Sequence, residues 1–166
     1  MERPIIAFGV DDVGDPFALL SCGHRQQVRR QPPFQSRPWV LDPATRDAMC
    51  GTPLNCVLCE RLELPLGFVP YKRTPEFTEA TVPAALRRDH ATKTGVWARI
   101  EVLAGRLRYR CPSLGLDVEL SARTPGTVVP EIRHSVEPVG AVASWWSSIM
   151  RPQPGLDRGN RRGRQA

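Results

Sequence analysis

The sequence predicts a mainly β chain of two small units, and three observations carry that reading. Apolar residues alternate with polar ones from residue 95 to residue 129, four of the five cysteines lie before residue 60, and the texture of the chain changes between Arg61 and Leu64. In the alternating stretch Val96, Ala98, Ile100 and Val102 fall on one face, and period two means strand. After Ala104-Gly105 the residues Leu107, Tyr109 and Cys111 again share a face, with Arg106, Arg108 and Arg110 on the other. Read as a turn, Ala104-Gly105 makes this a hairpin with one solvated face. Leu116 to Leu120 and Thr127 to Val129 extend the pattern into further short strands. An all-β unit of this kind closes its core as a barrel or a sandwich.

The N-terminal 60 residues are near the size at which a core alone is marginal and a metal or disulfide helps. Ile5 to Val10 and Pro16 to Ser21 are apolar runs on either side of the turn-rich Asp11-Asp-Val-Gly-Asp15, which predicts a hairpin. The second run leads into Cys22-Gly23-His24, and Cys56-Val-Leu-Cys59 follows some thirty residues later. Two donors on one tight turn and two on another is how a closed tetrahedral zinc site is built. Gly23 suits the turn that brings Cys22 and His24 to one ion. Cys50 could replace His24 as a ligand and is read as a spare thiol. Between the pairs, Asp42 to Met49 predicts a short helix, with Asp42 as its N-cap and Pro43 in its first position.

The start of the chain has no basic segment leading an apolar one, and no window is apolar enough for a membrane span. A cytoplasmic location is expected, with no membrane partner, and there clustered cysteines are metal ligands before they are disulfides. The net charge of +6 is mostly local, because residues 143–166 hold five arginines against Asp157, +4 in all, leaving +2 for everything else. That basic, Gly- and Pro-containing end is expected to be a disordered tail. Arg25, Arg29, Arg30, Phe34, Arg37 and Trp39 could stack on single-stranded nucleic acid, but the nearly neutral body makes a nucleic-acid partner the weaker expectation.

Leu20-Ser-Cys-Gly-His24, Pro32-Pro-Phe34-Gln-Ser-Arg37-Pro-Trp39-Val-Leu41 and Pro53-Leu-Asn-Cys56-Val-Leu-Cys59 resemble an uncharacterised family of small bacterial proteins with a Cys-Gly-His and Cys-x2-Cys pattern. The chain departs from it at Phe34, where the family shows Trp, and at Arg30, where it shows His. The resemblance spans residues 1–62 and implies a compact zinc-ribbon-like module with Cys22, His24, Cys56 and Cys59 as ligands.

Leu64 to Pro83 leads into the β unit. With Arg88-Asp-His90, Thr92-Lys-Thr94-Gly-Val-Trp97, Val102 to Tyr109 and Pro130-Glu131 to His134 and Glu137-Pro138, it resembles the TehB/YeaR-like family, a cupin-like domain associated with tellurite resistance. That resemblance covers residues 63–142 and implies a cupin-like β-barrel with an internal pocket. His90 and His134 are the only histidines of this unit, and Glu131 is the nearest carboxylate. Convergence in the barrel mouth would let these three hold a second divalent metal. A standard cupin carries a denser His-x-His and carboxylate cluster, where this chain has Thr92 and Thr94.

Longer tellurite-resistance proteins join such a domain to an S-adenosylmethionine-dependent methyltransferase. Here no phosphate-cradling glycine loop and no Gly-x-Ser-x-Gly nucleophile motif occurs. The leading expectation is therefore a non-enzymatic or weakly catalytic metal-binding protein of a stress or toxic-oxyanion response, taking a small molecule or oxyanion in the barrel, with homodimer formation through edge strands open to it. A metal-dependent cupin-type enzyme using His90, Glu131 and His134 is the alternative, and an adaptor acting through the zinc module is a third.

The tellurite-associated family closes with an apolar strand after its Glu-Pro, whereas this chain reads Val142-Ala-Ser-Trp-Trp-Ser-Ser-Ile-Met150. One permitted coding of these residues, read in the neighbouring frame, gives Gly-Phe-Val-Val-Glu-Phe-His-His. A frameshift that replaced the final strand is thus expected, with Trp145 and Trp146 near an exposed edge. Sequencing the gene tests this, and serine codons at 144, 147 or 148 that the alternate reading forbids would end it.

Overall fold

The computed structural model describes residues 1–28 and 38–153. They form two compact units, the first centred on Met1–Arg61 and the second on Phe68–Arg151. Among the described residues no helix is long and apolar enough to cross a membrane.

The first unit is a four-stranded antiparallel sheet. β1 (Glu2–Val10) and β2 (Pro16–Leu20) pair as a hairpin across the Asp11–Asp15 turn. Asp11 builds that turn, its carboxylate accepting from the amides of Val13 and Asp15. β3 (Arg25–Gln27) continues the meander and β4 (Pro53–Asn55) pairs with the other side of β1, giving the order β3-β2-β1-β4. Helix α1 (Pro43–Ala48) begins where the sequence places it. Asp42 caps it by accepting from the Thr45 amide at 2.7 Å, and Pro43 takes the first position, where no backbone donor is needed. Helix α2 (Val57–Glu60) is a single turn with Cys56 at its N-cap.

The second unit is a curled half-barrel sheet. Its order is β5 (Phe68–Arg73), β10 (Ser135–Pro152), β7 (Trp97–Cys111), β8 (Leu116–Leu120), with β6 (Phe77–Thr78) also on β10 and β9 (Gly126–Val128) also on β7. The core lies on the inner face and includes Ile100, Val102, Leu107, Tyr109, Leu120 and Trp145. On the outer face Arg106 pairs with Glu119 and Arg108 with Asp117, a solvated cross-strand ladder.

Two expectations are corrected here. The stretch read as a hairpin is one 15-residue strand, Trp97–Cys111. Val102 and Leu107 are five residues apart and both face the core, which an unbroken period of two forbids. The phase slips at Gly105, whose φ of 70° is open to glycine, and the pairing with β10 is irregular at the same place, between Val139 and Ser144. A bulge and a turn leave the same mark on the sequence.

The second correction concerns the end of the chain. The segment expected to begin a disordered tail at residue 143 continues β10 to Pro152, with Ser144–Met150 registered against Ala104–Trp97. Trp145 does not lie at an edge, because β10 has β7 on one side and β5 and β6 on the other; it is 1% exposed. The physical reason is alternation: Ala143 and Trp145 enter the core and Ile149 packs against it, so these residues as written fill the place of the missing strand. Residues 154–166 lie outside the described residues.

Candidate functional site

The β2–β3 turn and the start of α2 deliver four donors to one point. Gly23, at φ 90°, lets the chain reverse between Cys22 and His24 while its amide donates to the Leu20 carbonyl and the Leu20 amide donates to that of His24. Cys56 and Cys59 sit on the single turn of α2, so their side chains share a face. Met1 fixes the approach to that turn, its carbonyl accepting from the Cys56 amide at 2.7 Å.

The sulfurs of Cys22, Cys56 and Cys59 lie 3.4, 3.3 and 3.6 Å from His24 Nδ1, and those of Cys22 and Cys56 are 3.9 Å apart. All four ligand atoms fall within 4.8 Å of one another, and all four residues are buried. A disulfide needs sulfurs near 2 Å, so these thiols are unbonded. Tetrahedral zinc, with bonds of about 2.3 Å to sulfur and about 2.0–2.1 Å to nitrogen, requires sulfurs about 3.8 Å apart and nitrogen-to-sulfur edges of about 3.5 Å. The three nitrogen-to-sulfur edges and the Cys22–Cys56 edge match these lengths, and the remaining edges are within 4.8 Å.

The electrostatics ask for a cation as well. Hydrogen bonds with Cys22 and Cys59 hold the Cys56 thiol far below its ordinary range, while Cys22 and Cys56 drive that of Cys59 far above it. Three buried thiols cannot all ionise side by side, so without a cation one ionises at another's expense. Burial opposes a charge on His24, but its hydrogen bonds with Cys22 and Cys56 outweigh this and lift its pKa to about 9. A dication in their midst would let every donor take its ligating form. Among the described residues this is the one group of three or more Cys, His, Asp or Glu side chains close enough to hold a metal. Cys50 is exposed and outside it.

A substitution at the hinge of this site has a definite expected effect. Gly23→Ala forces a Cβ into a left-handed conformation at a cost of about 1–2 kcal/mol. Metal affinity measured by chelator competition should fall roughly 5- to 30-fold.

The second set of candidates is only partly brought together. His90 and His134 form an isolated antiparallel bridge, each amide donating to the other's carbonyl at 2.9 and 2.8 Å, and their rings meet edge to face at 5.4 Å. His134 is buried, with Nδ1 2.9 Å from the Ile132 carbonyl, and burial pushes its pKa down. Both residues line a cavity of about 100 Å3 on the inner face of the sheet, together with Thr92, Phe77, Ile100 and Trp145. Glu131 does not line this cavity. It has φ 65°, and its carboxylate accepts from the Thr94 hydroxyl at 2.6 Å, so it gives the imidazoles no third ligand here.

The basic and aromatic residues considered for nucleic acid are divided. Arg25 stacks over the Phe17 ring at 4.9 Å and Trp39 packs edge-on against Phe8 at 5.8 Å. Arg29, Arg30, Phe34 and Arg37 lie outside the described residues. The cavity-lining residues Phe77, Trp145, Ser147 and Ile149 went unnoticed in the sequence as site residues; their signal was the alternation through Ala143, Trp145, Ser147 and Ile149.

Both stretches match known families. Residues 6–63 match the model of a protein of unknown function (DUF3565), and residues 72–144 match the TehB-like domain. A structural-genomics crystal structure of a protein from E. coli (strain K12) is 19% identical, with a TM-score of 0.50 over 54% of this chain and 96% of that one. TehB from Haemophilus influenzae is 21% identical, with a TM-score of 0.49 over 52% of this chain and 32% of TehB, so the present chain spans about a third of that protein. At 19% identity the likeness to the E. coli protein is one of fold. No curated protein matches the chain.

Proposed function

We propose that this protein is a non-catalytic, metal-binding component of a stress or toxic-oxyanion response, in which a structural zinc ion holds the N-terminal unit and a cupin-like C-terminal unit binds a small ligand. The tetrahedral cluster of Cys22, His24, Cys56 and Cys59 carries the reading. Its donor set of three sulfurs and one nitrogen is that of a closed structural zinc site, with no position left for substrate. Free thiols fit a reducing, cytoplasmic setting. The tellurite association is supported by the TehB-like match, and ligand binding by the cavity beside His90 and His134.

The test is metal content per chain for the wild type, Cys56→Ser and His134→Ala. One zinc lost only with Cys56→Ser is the expected result. A second metal lost only with His134→Ala, particularly iron, manganese or nickel, would favour a metal-dependent enzyme instead.

Acid should empty the site. Metal-free His24 holds a proton until about pH 9, and zinc must displace that proton and those of the thiols. Affinity therefore rises with pH, and lowering the pH from about 8 to about 5 is expected to release the ion. A zinc-responsive dye in a pH titration reads this directly.

A further inference from the structure

We infer that the cavity of the C-terminal unit takes a small neutral molecule with one polar group, and not an oxyanion. This rests on the reading of that unit as a ligand-binding one and specifies its ligand class.

The cavity walls give the charge. Among the described residues no arginine or lysine lines it, His90 and His134 being its basic side chains, and the ladder of Arg106 and Arg108 is paired with Glu119 and Asp117 on the outer face of the sheet. A buried anion needs a paired cation or a set of donors. Here most of the wall is apolar: Phe77, Leu86, Ile100, Val128 and Trp145 offer only carbon and ring surface, apart from one indole nitrogen.

The polar end is small and specific. The Thr92 hydroxyl is buried without a hydrogen-bond partner, which costs about 1–3 kcal/mol if left so. His134, which lines the same cavity, has Nδ1 engaged with the Ile132 carbonyl. When that nitrogen donates, Nε2 is an acceptor. The hydroxyl of Thr74, which also lines the cavity, already accepts from the Ser147 amide at 2.9 Å. One hydroxyl or N–H on the ligand satisfies the free end, and the remainder meets apolar wall. At about 100 Å3 the enclosed space is smaller than the dry cavity of about 150 Å3 that takes benzene, and its open side leaves room for the rest of a single small ring.

Phenol and sodium tellurite are the probes, titrated separately into the full-length chain and followed by amide NMR shifts at Ile100, Val128 and His134. Phenol is expected to bind and tellurite to leave these amides unmoved. Thr92→Val, which keeps the shape and removes the hydroxyl, should weaken phenol binding about 5- to 30-fold. Ala98→Leu, which fills the cavity wall, should abolish it. Tellurite binding that Ala98→Leu abolishes would overturn this inference while leaving the unit a ligand-binding one. Phenol binding indifferent to Thr92→Val would overturn the assigned polar end. Failure of both probes to move these amides in the wild type would overturn the ligand-binding reading itself.

Discussion

Cys56→Ser is expected to unfold the N-terminal unit, not merely to weaken it. Among the described residues its buried apolar side chains other than cysteine and proline are Ile5, Ala18, Leu20, Val28 and Val40. Each contributes at most about 3 kcal/mol, against an ordering cost of about 1–2 kcal/mol per residue. A structural zinc ion, as proposed, would contribute about 10–16 kcal/mol in a small module, as much as that whole core, so its loss should leave the unit unable to fold. Serine is a poor zinc ligand, and the variant also leaves two thiols and an imidazole buried without their cation. Amide NMR should show the β1–β2 resonances collapsing to random-coil positions, and excess chelator should do the same to the wild type. Persistence of those resonances in metal-free protein would mean that the sheet stands on its own core.

Trp145→Ala is expected to cost about 3–5 kcal/mol in the C-terminal unit. Trp145 is 1% exposed, packs 6.1 Å from the Phe77 ring and pairs through its backbone with Val102 at the centre of β7. Domains of this size have about 5–15 kcal/mol to lose, so the variant should unfold at much lower urea. Ser148→Ala, on the outer face of the same strand, is the control and should stay within about 0.5 kcal/mol. If residues 143–152 were instead a loose tail, both substitutions would leave the urea midpoint where it is.

The elements readable in the sequence are those whose cause is local. Asp42-Pro43 specifies a helix start by itself, the Asp11 turn specifies the first hairpin, and Cys22-Gly23-His24 with Cys56-x2-Cys59 specifies four donors through spacing on two turns. What was not readable depends on the rest of the chain. The slip at Gly105 becomes a bulge because β10 continues opposite it, and nothing within residues 96–111 says so. The strand through Trp145 was masked by composition, because serines and a following run of arginines look like a tail until the slot between β7 and β5 is seen. Glu131 was grouped with His90 and His134 on sequence proximity. In the structure its carboxylate accepts from the Thr94 hydroxyl, and it is not among the residues that line the cavity with the two histidines.

The central claim is a zinc ion held by three sulfurs and one nitrogen, and X-ray absorption at the zinc edge of the purified protein tests it most directly. About three sulfurs near 2.3 Å and one nitrogen near 2.0–2.1 Å is the predicted shell. A shell rich in oxygen, or protein that carries no metal with Cys22 and Cys56 joined in a disulfide, would contradict it.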